Sequence, residues 1–219
     1  MVCLVNPHAL TRYTETFSGG DAAAGTSHVI QLPSAIGPGD RIIIAKAHRE
    51  TGQTWPAGWT ELSDAGTGGQ ACLAVAYRDC DGTEGGTTID VTSANSRCDS
   101  WVGIKLPVGS FAAASAPEVG TTATGNDANP NAPSISPSWG AVSTLVLAVF
   151  GGEANPGMTI SGYPSGYSLY QKYGVGTVVG ANGYSGMAGI VVAAASENPG
   201  TYTISGSDQW AAQTIAVKL

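Results

Sequence analysis

Charged residues are scarce in this chain of 219 residues and make up 11% of it, against roughly 25% in an average soluble protein. Lysine and arginine together number 9, and the formal net charge is −7. These cations are scattered along the chain, whereas nucleic-acid surfaces are basic and patchy, so we expect no nucleic-acid partner. The same scarcity argues against a membrane face held by electrostatic attraction.

Long apolar runs are also missing. The longest one, 145–150 with Ala141 and Val142 just before it, is far below the roughly 20 residues that cross a bilayer. The opening stretch MVCLVNPHAL has no basic residues and too short an apolar core for a secretory signal. We therefore expect no signal peptide, no transmembrane segment and synthesis in a cytoplasm.

Cysteine is rare, with four residues: Cys3, Cys72, Cys80 and Cys98. Cys72 lies inside an apolar run and is expected to pack as a small hydrophobic residue. Cys80 and Cys98 flank a predicted hairpin and could form a disulfide across it, although a reducing cytosol favours free thiols. None of the cysteines has a spacing typical of zinc ligands.

The sequence contains no recognisable catalytic motif. Its three histidines are His8, His28 and His48, and none belongs to a metalloprotease, nucleotide-binding or serine-hydrolase signature. The densest acidic stretch, RDCDGTEGG at 78–86, is typical of a β-turn, and its spacing does not continue as a calcium loop does. We predict a non-enzymatic protein with no catalytic, cofactor-binding or metal-ligating residues.

Glycine is abundant, at 31 residues, and short apolar runs alternate with Gly, Pro, Asn and Asp. This pattern is typical of many short strands joined by tight turns. The runs CLAVAYR and GIVVAAAS are almost continuously apolar, as in central strands that are covered on both faces. The fold class that follows is all-β, an antiparallel and jelly-roll-like β-sandwich.

The chain also resembles itself. IQLPSAIGPGDRIIIAKA (30–47) aligns with SISPSWGAVSTLVLAVFG (134–151), and the segment 83–106 aligns without a gap with 196–219. Because the blocks keep their order, we predict an internal duplication with repeats at about 13–107 and 117–219. Residues 27–219 are expected to form a single sandwich, with 1–26 as an N-terminal arm or first edge strand. Two tandem sandwiches are the alternative.

Each repeat is predicted to contain seven strands. In the first repeat these lie near 13–18, 27–33, 40–48, 57–63, 70–78, 87–92 and 100–107. In the second they lie near 117–124, 132–137, 143–150, 165–171, 186–195, 200–205 and 210–219.

A short turn motif occurs once in each repeat, as TWPAGWTEL at 54–62 and GYPSGYSLY at 162–170. The proline fixes one backbone angle and the glycine accepts a conformation that other residues resist. The flanking aromatic residues are Trp55, Trp59, Tyr163 and Tyr167. We expect them to cap the core of each repeat, and a role in stacking against a ligand or partner is the alternative.

The segments LPSAIGPGDRIII, WPAGWTEL, LAVAYRDCDGTEGGTTIDV, TLVLAVFGG and YPSGYSLY together resemble a diffuse group of tailed-phage virion proteins. The resemblance covers about 27–219 and rests on turn and core residues. It implies a virion structural protein made in the host bacterial cytoplasm, first a capsid decoration or cement protein and second a tail or fibre component. Its implied partners are copies of itself, a trimer by analogy, and other virion proteins such as the major capsid protein.

A protein of another class fits the same composition. A carbohydrate-binding β-sandwich adhesin would use exposed aromatic residues in a shallow groove to bind a surface glycan. The tryptophans available for this are Trp55, Trp59, Trp101, Trp139 and Trp210. A hydrolase on a sandwich scaffold would need an acidic or histidine-bearing cleft, which no motif in the sequence marks.

Overall fold

The computed structural model describes residues 14–153, 158–174 and 183–219. Within these ranges the chain forms strands, turns and bends and has no helix. The strands are β1 Glu15–Gln31, β2 Arg41–His48, β3 Thr60–Thr67, β4 Ala71–Asp79, β5 Thr88–Leu106, β6 Glu118–Val119, β7 Ala123–Asp127, β8 Asn131–Ala132, β9 Thr144–Glu153, β10 Ile160–Gly162, β11 Leu169–Gly174, β12 Gly183–Val192, β13 Gly200–Thr201, β14 Thr203–Ile204 and β15 Asp208–Lys218.

The strands form two main sheets, one in each half of the chain. The N-terminal sheet has the order β1-β5-β2-β4-β3, and the C-terminal sheet has the order β11-β12-β9-β15-β6, with β7 also paired to β15. Neighbouring strands pair antiparallel in both sheets. The sheets pack as a sandwich, so the predicted all-β antiparallel fold is confirmed.

One apolar core lies between the two sheets. Ile43 of β2 and Ile104 of β5 belong to the same buried cluster as Leu147 of β9 and Ile215 of β15. Each of these side chains is at most 2% exposed, and full burial of an aliphatic side chain of this size contributes roughly 1.5–3 kcal/mol. Because both halves contribute to this core, neither sheet keeps its inner face covered without the other.

Small residues set the distance between the sheets. A Cβ atom built on Gly151 of β9 would lie 2.2 Å from the Cβ atom of Ala47 on β2. No pair of real side-chain atoms approaches so closely, so glycine is required at this point of contact. The sequence AVFGG therefore ends in glycine where the two central strands meet.

The outer face of each sheet is covered as well. Ile42 and Ile44 of β2 belong to a second buried cluster with Ile30 of β1 and Val91 of β5. The C-terminal sheet has an outer cluster of its own, which includes Phe150 of β9. Burial on both faces explains why β2 is buried at all eight of its residues and why it reads as an almost continuous apolar run.

The same strand order occurs in the two halves. Read from one edge to the other, the N-terminal sheet has the order β1-β5-β2-β4-β3, and the C-terminal sheet has the order β7-β15-β9-β12-β11. The strands at the same place in the two orders also follow one another in the same sequence along the chain. A duplication predicts this correspondence. The duplication itself stays an inference from the sequence, and so does the extent of the single domain over 27–219.

Several strand boundaries differ from the prediction. The predicted strands 13–18 and 27–33 belong to one strand, β1, and the predicted strands 87–92 and 100–107 belong to β5. The small and polar residues between them read locally as loops, but β1 and β5 pair along their whole length and absorb irregularities on both sides of Gly25. Cross-strand pairing thus overrides the local turn preference.

The predicted N-terminal arm or first edge strand, 1–26, lies partly outside the described residues. Residues 1–13, with Cys3 and His8, are not described, while 15–26 belong to β1 at an edge of the N-terminal sheet. Cys72 and Cys80 carry free thiols, so Cys80 forms no disulfide with Cys98. Burial raises the pKa of Cys72 to about 11 and that of Cys80 to about 12, so neither thiol is an activated nucleophile.

Candidate functional site

Charged side chains are buried at one end of the outer face of the N-terminal sheet. The alternation along β2 that directs Ile42 and Ile44 outward directs Lys46 the same way, and Asp99 of β5 lies beside it. We name as the buried polar cluster the five residues Asp21, His28, Lys46, Gln53 and Asp99. Lys46 and Asp99 are 0% exposed, and His28 is 1% exposed.

Short contacts connect the cluster. The Nζ atom of Lys46 lies 2.6 Å from Oδ2 of Asp99 and donates a hydrogen bond of 2.6 Å to Oε1 of Gln53. Nδ1 of His28 lies 3.1 Å from the same Oδ2 and 3.5 Å from Oδ2 of Asp21. The backbone N–H of Asp21 donates to Oδ1 of Asp99 at 3.2 Å. Both carboxylate oxygens of Asp99 are therefore in contact with the cluster.

The ring of His28 is held from its other side. Its Nε2 atom lies 3.1 Å from Oγ of Ser93, and its backbone N–H donates to Oδ1 of Asp90 at 3.1 Å. Both partners are on β5, which pairs with β1 beyond the irregularity at Gly25. The long β1–β5 pairing, which sequence reasoning divided into separate strands, thus positions the histidine over the carboxylates.

Burial shifts the pKa values of Lys46, His28 and Asp21 in the direction that favours their neutral forms. It lowers the pKa of Lys46, and the carboxylate of Asp99 opposes this. It also lowers the pKa of His28, and the Lys46 ammonium adds to that effect. Burial raises the pKa of Asp21, and the charge of Asp99 adds to it. In all three groups the main cause is the low polarity of the surroundings, which destabilises the charged form.

The cluster contains three groups that could hold a metal ion. The ligand atoms of Asp21, His28 and Asp99 all lie within 4.8 Å of one another. However, the Lys46 ammonium already lies 2.6 Å from Oδ2 of Asp99 and would repel a cation bound to that carboxylate. The buried polar cluster is therefore organised around the Lys46–Asp99 ion pair and is poorly suited to hold a metal ion.

A second buried histidine lies near the end of β2. Nε2 of His48 lies 3.4 Å from Oδ1 of Asp64, and its Nδ1 accepts a hydrogen bond of 3.3 Å from the backbone N–H of Glu50. Burial lowers the pKa of His48, against the opposing effect of Asp64. Burial acts to raise the pKa of Asp64, but hydrogen bonds from His48 and two backbone N–H groups hold that pKa below its usual value.

The turn motifs lie in two separate clusters. Trp55 and Trp59 stack with ring centroids 5.5 Å apart and are half-buried against the outer core of the N-terminal sheet. Tyr163 and Tyr167 pack against the outer core of the C-terminal sheet, where Tyr167 is 3% exposed. A ligand contact of these four residues stays a prediction, and the ring of Tyr167 offers almost no accessible face for it.

The two motifs form the same turn. The backbone N–H of Trp59 donates to the carbonyl of Pro56 at 3.2 Å, and the N–H of Tyr167 donates to the carbonyl of Pro164 at 3.2 Å. The glycine before each aromatic residue has a positive φ, 89° and 84° respectively. The recurrence of the motif thus has a structural cause, which is independent of any ligand.

The acidic stretch after β4 is a turn whose carboxylates have partners inside the chain. Arg78 donates to Oε1 of Glu84 at 2.7 Å, and Oδ1 of Asp81 accepts from the N–H of Thr83 at 2.9 Å. Asp79 pairs with Arg41 at 2.6 Å. These contacts fit the predicted turn.

An open groove lies where the β3–β4 turn faces β7 and β15. Its volume is about 340 Å³, and it is lined by Thr67, Gln70, Ala71, Thr124, Gly125, Asn126, Gln209 and Trp210. Nε1 of Trp210 donates to Oδ1 of Asp127 at 3.2 Å, which fixes the orientation of the indole. Amides and hydroxyls dominate the lining, so the groove suits a neutral, polyhydroxylated ligand better than a charged one.

The buried polar cluster has no equivalent in the C-terminal sheet. Ile43 pairs with Ile104 as Leu147 pairs with Ile215. In the alignment of 30–47 with 134–151, Phe150 stands in the place of Lys46, and in the alignment of 83–106 with 196–219, Ala212 stands in the place of Asp99. Sequence reasoning missed the cluster, although a lysine and an aspartate within apolar strands were a usable signal.

No protein-family model, curated protein or solved structure matches this chain. In the part of the chain that the structure describes, no helix has the length and apolar character needed to cross a membrane. The functional assignment therefore rests on the sequence and on the contacts above.

We predict that acid weakens the fold through His48. In the unfolded chain a histidine binds its proton near pH 6.5, whereas the folded pKa of His48 is lower. Between these values the unfolded state binds more protons, so the free energy of unfolding falls as pH falls, by up to about 1.4 kcal/mol per pH unit for one histidine. Urea unfolding followed by fluorescence from about pH 7 to about pH 5 measures this slope.

The variant His48→Gln is expected to reduce the slope, because one of the contributing protons is removed. Gln171 on β11 is half-buried and lies outside both histidine sites, so Gln171→Ala serves as the control and should keep the full slope. An equal slope in His48→Gln and in the unaltered protein would contradict the assignment to His48.

Proposed function

We propose that the protein is a non-enzymatic structural component of a virion, in the first place a capsid decoration or cement protein. A tail or fibre component is the second assignment within this class. The resemblance of about 27–219 to tailed-phage virion proteins motivates the proposal. The observation that carries it is the sandwich itself, in which buried side chains cover both faces of the central strands and the Lys46–Asp99 ion pair lies inside.

The composition of such a surface favours packing against neighbours. Transfer of a charged side chain from water into an interface costs several kcal/mol unless the charge is well paired. Gly, Ser, Thr and Asn carry no charge, and with 11% charged residues the exterior has comparatively few charges to desolvate. The partners expected from this composition are copies of the same chain and the other proteins of a particle shell, and no cofactor is required.

One edge of the N-terminal sheet is poorly suited to open-ended strand addition. The register of β3 against β4 shifts between Glu61 and Ser63, and Glu61 and Asp64 place carboxylates on this edge strand. Bulges and charges are the devices that keep edges from pairing with other chains. This supports assembly into a closed symmetric oligomer, a trimer by analogy, with contacts made through side chains.

Immunogold labelling of purified particles from the source tests the proposal. An antibody raised against the full chain is expected to label the head uniformly if the protein is a decoration protein. Label confined to the tail or its tip would move the assignment to a tail or fibre component. Particles that contain the major capsid protein but bind no antibody would contradict the virion assignment.

A second candidate function is glycan binding, which the groove beside Trp210 favours. Its lining offers the amides of Gln70, Asn126 and Gln209 and the hydroxyls of Thr67 and Thr124. Side-chain amides and hydroxyls can donate to and accept from sugar hydroxyls. The adhesin alternative named five tryptophans, and of these Trp210 is the one that lines this groove.

Titration with neutral oligosaccharides, followed by tryptophan fluorescence, distinguishes the two functions. If the groove binds a glycan, Gln70→Ala and Gln209→Ala should each weaken binding roughly 2- to 10-fold, because each removes a hydrogen bond worth about 0.5–1.5 kcal/mol. Gln171→Ala, outside the groove, should bind normally. A glycan array without any ligand would contradict this second function and would leave the structural one in place.

A further inference from the structure

Lys46 and Asp99 form an ion pair that is shielded from water, which is unusual for opposite charges. Both side chains are fully buried, and their closest atoms lie 2.6 Å apart. Removing two charges from water is costly, and their mutual attraction repays that cost only with excellent geometry. Transfer of one proton from Nζ to Oδ2 converts the pair into a neutral amine beside a neutral carboxylic acid, without any change in the number of protons.

The neighbours of this pair are placed to assist a reaction between them. Asp99 lies on β5, between Lys46 on β2 and Asp21 on β1, so three adjacent strands contribute. The backbone N–H of Asp21 contacts Oδ1 of Asp99 at 3.2 Å, where it would stabilise negative charge that develops on that oxygen. Nδ1 of His28 lies 3.1 Å from Oδ2 and 3.5 Å from the Asp21 carboxylate, within reach for a proton relay.

We propose that Lys46 and Asp99 condense to an intramolecular isopeptide bond that joins β2 to β5. The lone pair of the neutral Nζ attacks Cγ of Asp99, and a C–N bond forms as the C–Oδ2 bond breaks. Asp21 and His28 accept a proton from nitrogen and deliver a proton to Oδ2, which leaves as water. One amine and one carboxylic acid yield one amide and one water, so no oxidant, nucleotide or metal takes part.

The polar groups around the pair also fit the product. Oδ1 of Asp99 becomes the amide oxygen and keeps the hydrogen bond from the N–H of Asp21. The remaining N–H on Nζ points to Oε1 of Gln53, which already accepts from this atom at 2.6 Å. The amide has no charge, so its burial does not carry the penalty that the ion pair carries.

A second lysine–carboxylate pair in the same sheet provides a natural comparison. Nζ of Lys105 on β5 lies 3.1 Å from Oε2 of Glu15 on β1, but the Glu15 side chain is 45% exposed. Solvent reaches the Glu15 carboxylate and screens its interaction with the amine. We therefore expect it to stay unreacted, and Lys105→Arg is the matched control for Lys46→Arg.

The mass of the purified full chain tests the proposal. The expected result is an intact mass lower than the sequence mass by one water. After reduction, alkylation and tryptic digestion, residues 42–49 and 98–105 should appear as one cross-linked species, because a modified Lys46 is no longer a cleavage site. An intact mass equal to the sequence mass, with free peptide 42–46, would overturn the proposal.

Variants locate the bond. Lys46→Arg should restore the full sequence mass, since a guanidinium keeps its charge and does not act as the nucleophile, whereas Lys105→Arg should keep the loss of water.

Asp21→Asn should leave the two peptides unlinked or link them more slowly, and linkage at the original rate would overturn the role of Asp21. A water loss that maps to another peptide, for example to a succinimide at Asp81–Gly82, would also overturn the proposal. The mass of the unaltered chain alone decides whether the bond forms, so a variant that fails to fold does not change that outcome.

Discussion

The packing of two sheets on one shared core is the constraint on which the rest of this structure depends. The inner faces of β2 and β9 meet at Ala47 and Gly151, where no larger side chain fits. Each half contributes a complete sheet, but each sheet requires the other to cover its inner face. The strand order, the covered outer faces and the groove at one edge follow from this arrangement.

The outer faces of the two sheets are both covered, but the side chains buried there differ in chemistry. The outer face of the C-terminal sheet buries Phe150 and Trp210, whereas the outer face of the N-terminal sheet buries Lys46 and Asp99. Aromatic packing gives stability directly through buried area. A buried ion pair is often no more stabilising than an apolar replacement, so its presence indicates a constraint beyond simple core packing. A covalent link between β2 and β5 is a chemical reason for it.

Sequence reasoning succeeded where a feature depends on local pattern. The continuous apolar run CLAVAYR identified β4 as a buried interior strand, and the Pro and Gly of the two aromatic motifs identified matching turns. The run GIVVAAAS was wrong as a strand covered on both faces, because only 189–192 belong to β12 and the residues after Gly189 are half-buried or exposed. Sequence reasoning failed where a feature depends on pairing between distant segments. The continuity of β1 and β5 arises from each other, and a contact such as that between Asp21 and Asp99 joins residues 78 positions apart. The groove has no local signature, and the local sign of the buried polar cluster is limited to a lysine and an aspartate within apolar strands.

The all-β sandwich with one shared core is established by the strand pairing and the buried clusters. The virion role and the isopeptide bond are proposals, and they are compatible because a particle component benefits from a strand link that survives local opening. They are also independent, since either one can fail without the other.

Native-state hydrogen exchange on the full chain tests the shared core most directly. If the sheets depend on each other, the slowest amides of β2 and β9 will exchange with the same free energy of opening and the same dependence on denaturant, because both are exposed only in global unfolding. Exchange of one central strand through a partial opening, while the other stays protected, would contradict the account and indicate two separately stable halves.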